Sequence, residues 1–246
     1  LAVGADGRRS ALARAAGIRH QRFPYGQRGL VAAIEHSLPH EGIAHQAFFP
    51  GGPFAVLPLP GDRSAVVWSE REAEADRLSA LSDDAYADEL ARRMGGRLGH
   101  LRLAGSRGSH PLDLTLANRY AASRVALMGD AAHGVHPIAG QGMNLGLRDM
   151  AALAEVLLEA ARRGEDIGRI DVLERYERWR RFDATAFALG MDALNRLFSN
   201  ANPILSAVRG AGLGLVGRIE PARRLFMKEA MGVAGDLPRM LRGETP

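Results

Sequence analysis

The sequence predicts a mixed α/β (α+β) fold, and three stretches carry that expectation. Residues 125 to 128 form an apolar strand that runs into Gly129 and Asp130. A Pro-Gly loop and a long helix opening at Gly142 follow. Residues 28 to 69 read as β, with a turn signal inside them. Residues 82 to 94 read as a helix whose two ends are both written in the sequence.

Taken in order, residues 10 to 16 are a short helix after an Asp-Gly turn at Asp6 and Gly7. Residues 30–34 and 44–49 are candidate strands, and residues 54–59 and 64–68 flank the hairpin-like turn Pro60-Gly61-Asp62-Arg63. In the helix at 82 to 94, Ser82 can cap the start and Asp83 and Asp84 fill the first turn. Arg92 and Arg93 fill the last turn, Gly95 stops the helix, and Tyr86, Leu90 and Met94 make its apolar stripe. Residues 101 to 106 are a further strand. The helix from 142 to about 163 places Gly146, Met150, Leu153, Leu157 and Ala160 on one face. Asp171 with Glu174 reads as a capping box opening another helix, whose apolar residues include Tyr176, Trp179 and Phe187. Pro203 starts a helical region rich in small residues, among them Gly210, Gly212, Gly214 and Gly217.

Composition narrows the function classes. The 246 residues are 46% hydrophobic, enough to bury a real core. Without cysteine there is neither a disulfide framework nor a thiolate metal site. The net charge is +4 and every base but Lys228 is arginine. Those arginines are scattered among acids, which reads as a solvated surface rather than a nucleic-acid footprint. No run of 18 apolar residues occurs in the sequence.

The block from Gly129 to Asp149 carries the chemistry. It brings one carboxylate and one helix N-terminus to the same point. Asp130 can accept hydrogen bonds from sugar-type hydroxyls, and the free N–H groups at Gly142, Met143 and Asn144 can bind an electron-rich group. Gly140 and Gly142 let backbone approach a flat ligand. His133 and His136 lack a third ligand at metal spacing, so hydrogen-bonded loop histidines are expected. Asp149, two turns into the helix, is expected to pair with a nearby arginine.

The run His136-Pro-Ile-Ala-Gly-Gln-Gly-Met-Asn-Leu-Gly-Leu-Arg-Asp149 resembles the second flavin-binding motif of the FAD-dependent aromatic hydroxylases, the superfamily of p-hydroxybenzoate hydroxylase. Its form is most similar to the branch that hydroxylates ubiquinone precursors. The resemblance implies that Asp130 holds the FAD ribityl chain, with Gly129 beside it in the cofactor site. It implies that Pro137, Gly140, Gln141, Gly142, Met143 and Asn144 face the isoalloxazine, with the backbone at 142 to 144 toward its pyrimidine edge. A helix N-terminus suits the negative charge of a reduced flavin there. Val3-Gly4-Ala5-Asp6-Gly7-Arg8-Arg9-Ser10 resembles the family's Asp-Gly motif, linked to FAD and NAD(P)H, which adds Asp6 and Gly7. The family's usual arginine three residues past the serine is Ala13 here, with Arg14 beside it. Pro58, Trp68, the Arg-Leu-Gly at 97–99 and the Asp-Leu-Pro at 236–238 extend the resemblance over most of the chain.

The expected protein is the C-terminal portion of a Rossmann-like flavin monooxygenase, without the N-terminal dinucleotide-binding βαβ unit. Its expected parts are a flavin-domain segment (1–20), a β-rich substrate domain (21–117), a return to the flavin domain (118–165) and a helical region (166–246). The implied reaction uses NAD(P)H and O2, through a flavin C4a-hydroperoxide, to hydroxylate a polyprenyl phenol ring. The implied setting is cytoplasmic, in a ubiquinone-biosynthesis complex or peripheral on the inner face of the membrane. Segment 203 to 233, with its mixed apolar and basic residues, is the expected contact. Two rivals stay open: a hydroxylase of another aromatic, and a non-catalytic flavoprotein or scaffold.

Overall fold

The computed structural model describes residues 1–199, 219–221, 224, 227 and 235–245. The chain divides into two compact units. One comprises Leu1–Phe23, Asp113–Leu194 and Ala207–Pro246; the other comprises Pro24–Leu112 and Asn195–Ser206.

The second unit is built on antiparallel strands. The long β2 (His20–His36) enters it, followed by β3 (His45–Phe49), β4 (Gly52–Leu59) and β5 (Arg63–Arg71). β3, β4 and β5 pair in sequence order, and β5 pairs with β2, setting Leu30 and Phe54 each opposite Trp68. Helices α2 (Glu72–Ser79) and α3 (Asp83–Met94) and the short β6 (Leu101–Leu103) follow. The core is Ile34, Trp68, Leu78, Tyr86 and Leu90, with Phe54 edge-on to Trp68 at 5.6 Å. Arg93 lies 4.6 Å over the Trp68 ring and donates to the buried Glu70 carboxylate at 2.9 Å, so its charge is both stacked and paired.

α3 has the ends its sequence promises. Ser82 Oγ accepts from the Ala85 N–H, and Gly95 closes the helix at φ 66°. α2 is a helix that the sequence reading lacks. Only Ala75 and Leu78 are buried on it, too few to show a stripe. The strand expected at 30–34 is part of a 17-residue strand, whose polar first half holds Pro24 and Gly26. A strand at β7 (Gly108–Ala117) was also not expected.

In the first unit, β1 (Ala2–Gly4) pairs in parallel with β9 (Val125–Leu127), and β8 (Ala121–Ala122) closes the other side of β9. Helix α1 (Ala11–Ala15) is capped by Ser10. After β9 come a 3-10 turn (Gly129–Ala131), the short β10 (His133–Gly134) on the end of β7, and a second 3-10 turn (Ile138–Gly140). The long helices α4 (Gln141–Arg162) and α5 (Ile170–Phe198) complete the described part. The Tyr176 hydroxyl of α5 donates to the Leu127 carbonyl of β9 at 2.8 Å.

Two expectations need correction here. The buried face of α4 runs through Leu145, Arg148, Asp149, Ala152, Val156 and Ala160. Leu153 and Ala160 are inside as expected, but Met150 is 42% exposed. The apolar residues cover much of the helix, and three charged residues on its buried side, Arg148, Asp149 and Glu155, are paired with Asp183, Arg180 and Arg239. Asp171 does not cap α5: the helix begins one residue earlier, and the Asp171 carboxylate accepts from Arg169 at 3.0 Å. The glycine-rich stretch 210–217 lies outside the described residues, as does nearly all of segment 203–233. Among the described residues no helix is long and apolar enough to cross a membrane.

Candidate functional site

The site is assembled from the turn after β9, the loop before α4, and Arg8 behind the Asp-Gly motif. Gly129 adopts φ 58°, where a Cβ is strained. Its backbone also packs on α4, since a Cβ on Gly146 would meet Gly129 Cα at 3.4 Å. This close approach fixes the start of the turn, and Asp130 follows with its side chain 43% exposed.

Arg8 ties the turn to two other segments. Its Nε donates to Asp130 Oδ2 at 3.0 Å, and Nη1 donates to both the carbonyl and Oδ1 of Asp113 at 2.9 Å. Nη2 donates to the Val135 carbonyl at 2.7 Å. Asp113 also accepts from Arg22 at 2.5 Å. Burial alone would raise the Asp113 pKa, but Arg22, Thr115 and Arg8 outweigh it and hold the carboxyl below the usual range. The bond from Arg8 to Asp130 Oδ2 is charge-assisted and holds that side chain in place.

The N-terminus of α4 supplies the second half. Gly140 at φ 64° is the N-cap, makes no side-chain capping bond, and would meet nothing with a Cβ. No acid occupies the first turn. The leading N–H groups thus keep their affinity for an anion or a carbonyl edge. Gln141 is buried and accepts from Asn144 Nδ2 at 3.3 Å, while Met143 is 74% exposed. A Cβ on Gly142 would lie 3.9 Å from Val135 Cγ2, and the Val135 carbonyl accepts from the same Arg8 that holds Asp130. Pro137 starts the 3-10 turn that leads into Gly140.

Asp6 and Gly7 lie in the same unit. Asp6 Oδ2 accepts from the Ala11 and Leu12 N–H groups at 2.7 and 3.4 Å, which caps α1. A bond from Ser10 and these amides hold its carboxyl below the usual range. Gly7 takes φ 80° in open space. His133 and His136 are both buried; His133 Nε2 meets Asp149 Oδ2 at 2.5 Å. Asp149 has the arginine expected of it, Arg180, with Nε 2.8 Å from Oδ1. Arg8 and Asp113 were not singled out from sequence. They stand 105 residues apart, and only the position of Arg8 just after Gly7 hinted at it.

The site offers a carboxylate and a helix N-terminus without a side-chain cap, both on an α/β scaffold and both suited to polar or anionic groups of a ligand. Residues 1–188 match the family described as FAD binding domain, and the chain belongs to that family. It is 48% identical over 246 residues to the ubiquinone hydroxylase UbiL of Rhodospirillum rubrum, covering 99% of this chain and 57% of that protein. It is 35% identical over 233 residues to the 3-demethoxyubiquinol 3-hydroxylase of Escherichia coli, covering 95% of this chain and 59% of that one. The chain therefore spans less than two thirds of these relatives. Among solved structures it resembles pqsL, a probable FAD-dependent monooxygenase from Pseudomonas aeruginosa, at TM-score 0.66 and 29% identity over 80% of this chain and 56% of that one.

Proposed function

We propose that this chain forms the flavin-facing part of an FAD-dependent monooxygenase that hydroxylates the aromatic ring of a polyprenylated phenol in ubiquinone biosynthesis, with NAD(P)H and O2 as co-substrates. The observation that carries the reading is that Arg8 ties the Asp130 carboxylate to the Val135 carbonyl, in the loop that leads into an α4 N-terminus without a side-chain cap. The residues present fit FAD. Asp130 would hold the ribityl hydroxyls, with Gly129 beside it. Gly140, Gln141, Gly142, Met143 and Asn144 would face the ring system, with Pro137 shaping its approach and Asp6 and Gly7 ordering the segment that carries Arg8. When bound, FAD supplies the redox and oxygen-transfer chemistry. The chain's residues bind it, orient it and present N–H dipoles to its electron-rich edge.

The unit of residues 24–112 and 195–206 is the proposed substrate-binding part. Similarity to the ubiquinone hydroxylase and the 3-demethoxyubiquinol 3-hydroxylase supports the substrate class. A cytoplasmic setting, peripheral contact with the inner face of the membrane and association with a biosynthetic complex belong to the same proposal. The protein expressed from its natural gene is incubated with FAD, NAD(P)H and either a polyprenyl phenol or soluble phenols. Reductant consumption coupled to a hydroxylated polyprenyl product is the expected result. Coupling only to soluble phenols would move the substrate class, and no FAD-dependent oxidation at all would favour a scaffold.

A further inference from the structure

The Asp130 turn has a second support besides Arg8, at the Gly129 N–H. Asp149 is fully buried on α4 and receives three donors. The Gly129 N–H reaches Oδ2 at 3.0 Å, His133 Nε2 reaches the same oxygen at 2.5 Å, and Arg180 Nε of α5 reaches Oδ1 at 2.8 Å. Arg180 is itself held by Asp183, with Nη1 to Oδ2 at 2.6 Å. Burial alone would raise the Asp149 pKa, but His133 and Arg180 hold its carboxyl below the usual range.

Spacing explains what this carboxylate can do. Gly146 and Asp149 are three apart and share one face of α4. Gly146 lets the Gly129 backbone lie against the helix, and Asp149 then bonds the Gly129 N–H. The same helix carries the Gly142–Asn144 N–H groups at its start. One rigid element therefore sets the distance between the carboxylate turn and the helix N-terminus. A bond to a charged acceptor in a dry interior is strong and directional.

We infer that Asp149 is a positioning residue for FAD: held by His133 and Arg180, it fixes the Gly129 N–H and so places Asp130 relative to the α4 N-terminus. This rests on the FAD reading above. Asp149 is fully buried and acts through the turn.

The test is a double-mutant cycle on FAD affinity, with Asp149→Asn, Asp130→Ala and their combination in the protein expressed from its natural gene. Circular dichroism and a thermal melt check folding. Asp149→Asn keeps the shape but removes the charge that orders the donors. It should weaken FAD at least ten-fold and change the visible flavin spectrum. In the Asp130→Ala background the same change should weaken FAD less than about three-fold, because the group it positions is gone. Arg180→Lys, which keeps a charge but loses the directed Nε–H, is run in a parallel cycle with Asp130→Ala and decides by the same criterion if Asp149→Asn does not fold. Additive losses, or wild-type affinity in the single variant, would overturn the inference and leave the FAD reading standing. Failure of the wild-type protein to bind FAD would instead bring down the reading on which it rests.

Discussion

A single methyl group at Gly134 tests whether Arg8 organises the site. Gly134 lies in β10 beside Arg8, and a Cβ there would come 2.8 Å from Arg8 Nε and 3.0 Å from Cδ and Cζ. Ordinary carbon contacts are about 3.5 to 4 Å, so the guanidinium must retreat by roughly 0.5 to 1 Å. It has no free direction, because its three nitrogens hold Asp130, Asp113 and Val135 at 2.7 to 3.0 Å. A retreat of that size carries some of these bonds past hydrogen-bonding distance. Gly134→Ala should therefore destabilise the protein by about 1 to 3 kcal/mol, the range for overpacking a built site. Urea unfolding measures it. The control is the same substitution in an Arg8→Ala background, where the methyl meets no guanidinium and its cost should fall below about 0.5 kcal/mol. Equal costs in both backgrounds would show that Arg8 is not what Gly134 makes room for.

Three further outcomes can be measured. Asp130→Ala should weaken FAD by about 1.5 to 3 kcal/mol, roughly ten- to a hundred-fold, in fluorescence titration of the apoprotein; unchanged affinity in a folded variant would make Asp130 a turn residue only. His136 is buried near Arg8, and burial first and that charge second bring its pKa down to about 4. The folded ring stays neutral while the unfolded chain takes up a proton, so stability should fall as pH drops from about 6.5 toward 4, by roughly 3 kcal/mol in all. His136→Gln should flatten that slope in unfolding measured across this window, and an unchanged slope would assign it to another group. Charge reversal at Arg223 and Arg224 should reduce flotation with anionic vesicles at low salt while FAD content stays intact. If the unaltered protein does not float at low or high salt, delivery by a partner protein replaces direct membrane contact.

Local features of this chain were legible in its sequence, and distant ones were not. α3 could be read whole because Ser82 and Gly95 mark its ends within a few residues of its stripe. The β3 to β5 strands were readable from their apolar runs and the turn at 60–63. α2 escaped because four of its eight residues are charged and only two are buried. The polar start of β2 escaped because Pro24 and Gly26 read as breaks. On α4 the apolar residues cover much of the helix, and its buried Asp149 pairs with Arg180, 31 residues away. The candidate site shows the same division. The glycines at positive φ and the helix start were visible as a motif. The grip of Arg8 on Asp113 and Asp130 spans 105 and 122 residues, and no local pattern encodes it.

The most direct measurement of the central claim is the fate of molecular oxygen. The protein expressed from its natural gene is supplied with FAD, NAD(P)H, a polyprenyl phenol and oxygen-18 gas, and the product is weighed by mass spectrometry. One labelled oxygen is expected in a new ring hydroxyl, formed only when FAD is present and lost with FAD affinity in Asp130→Ala. A product with unlabelled oxygen, or labelled product that forms without FAD, would contradict it.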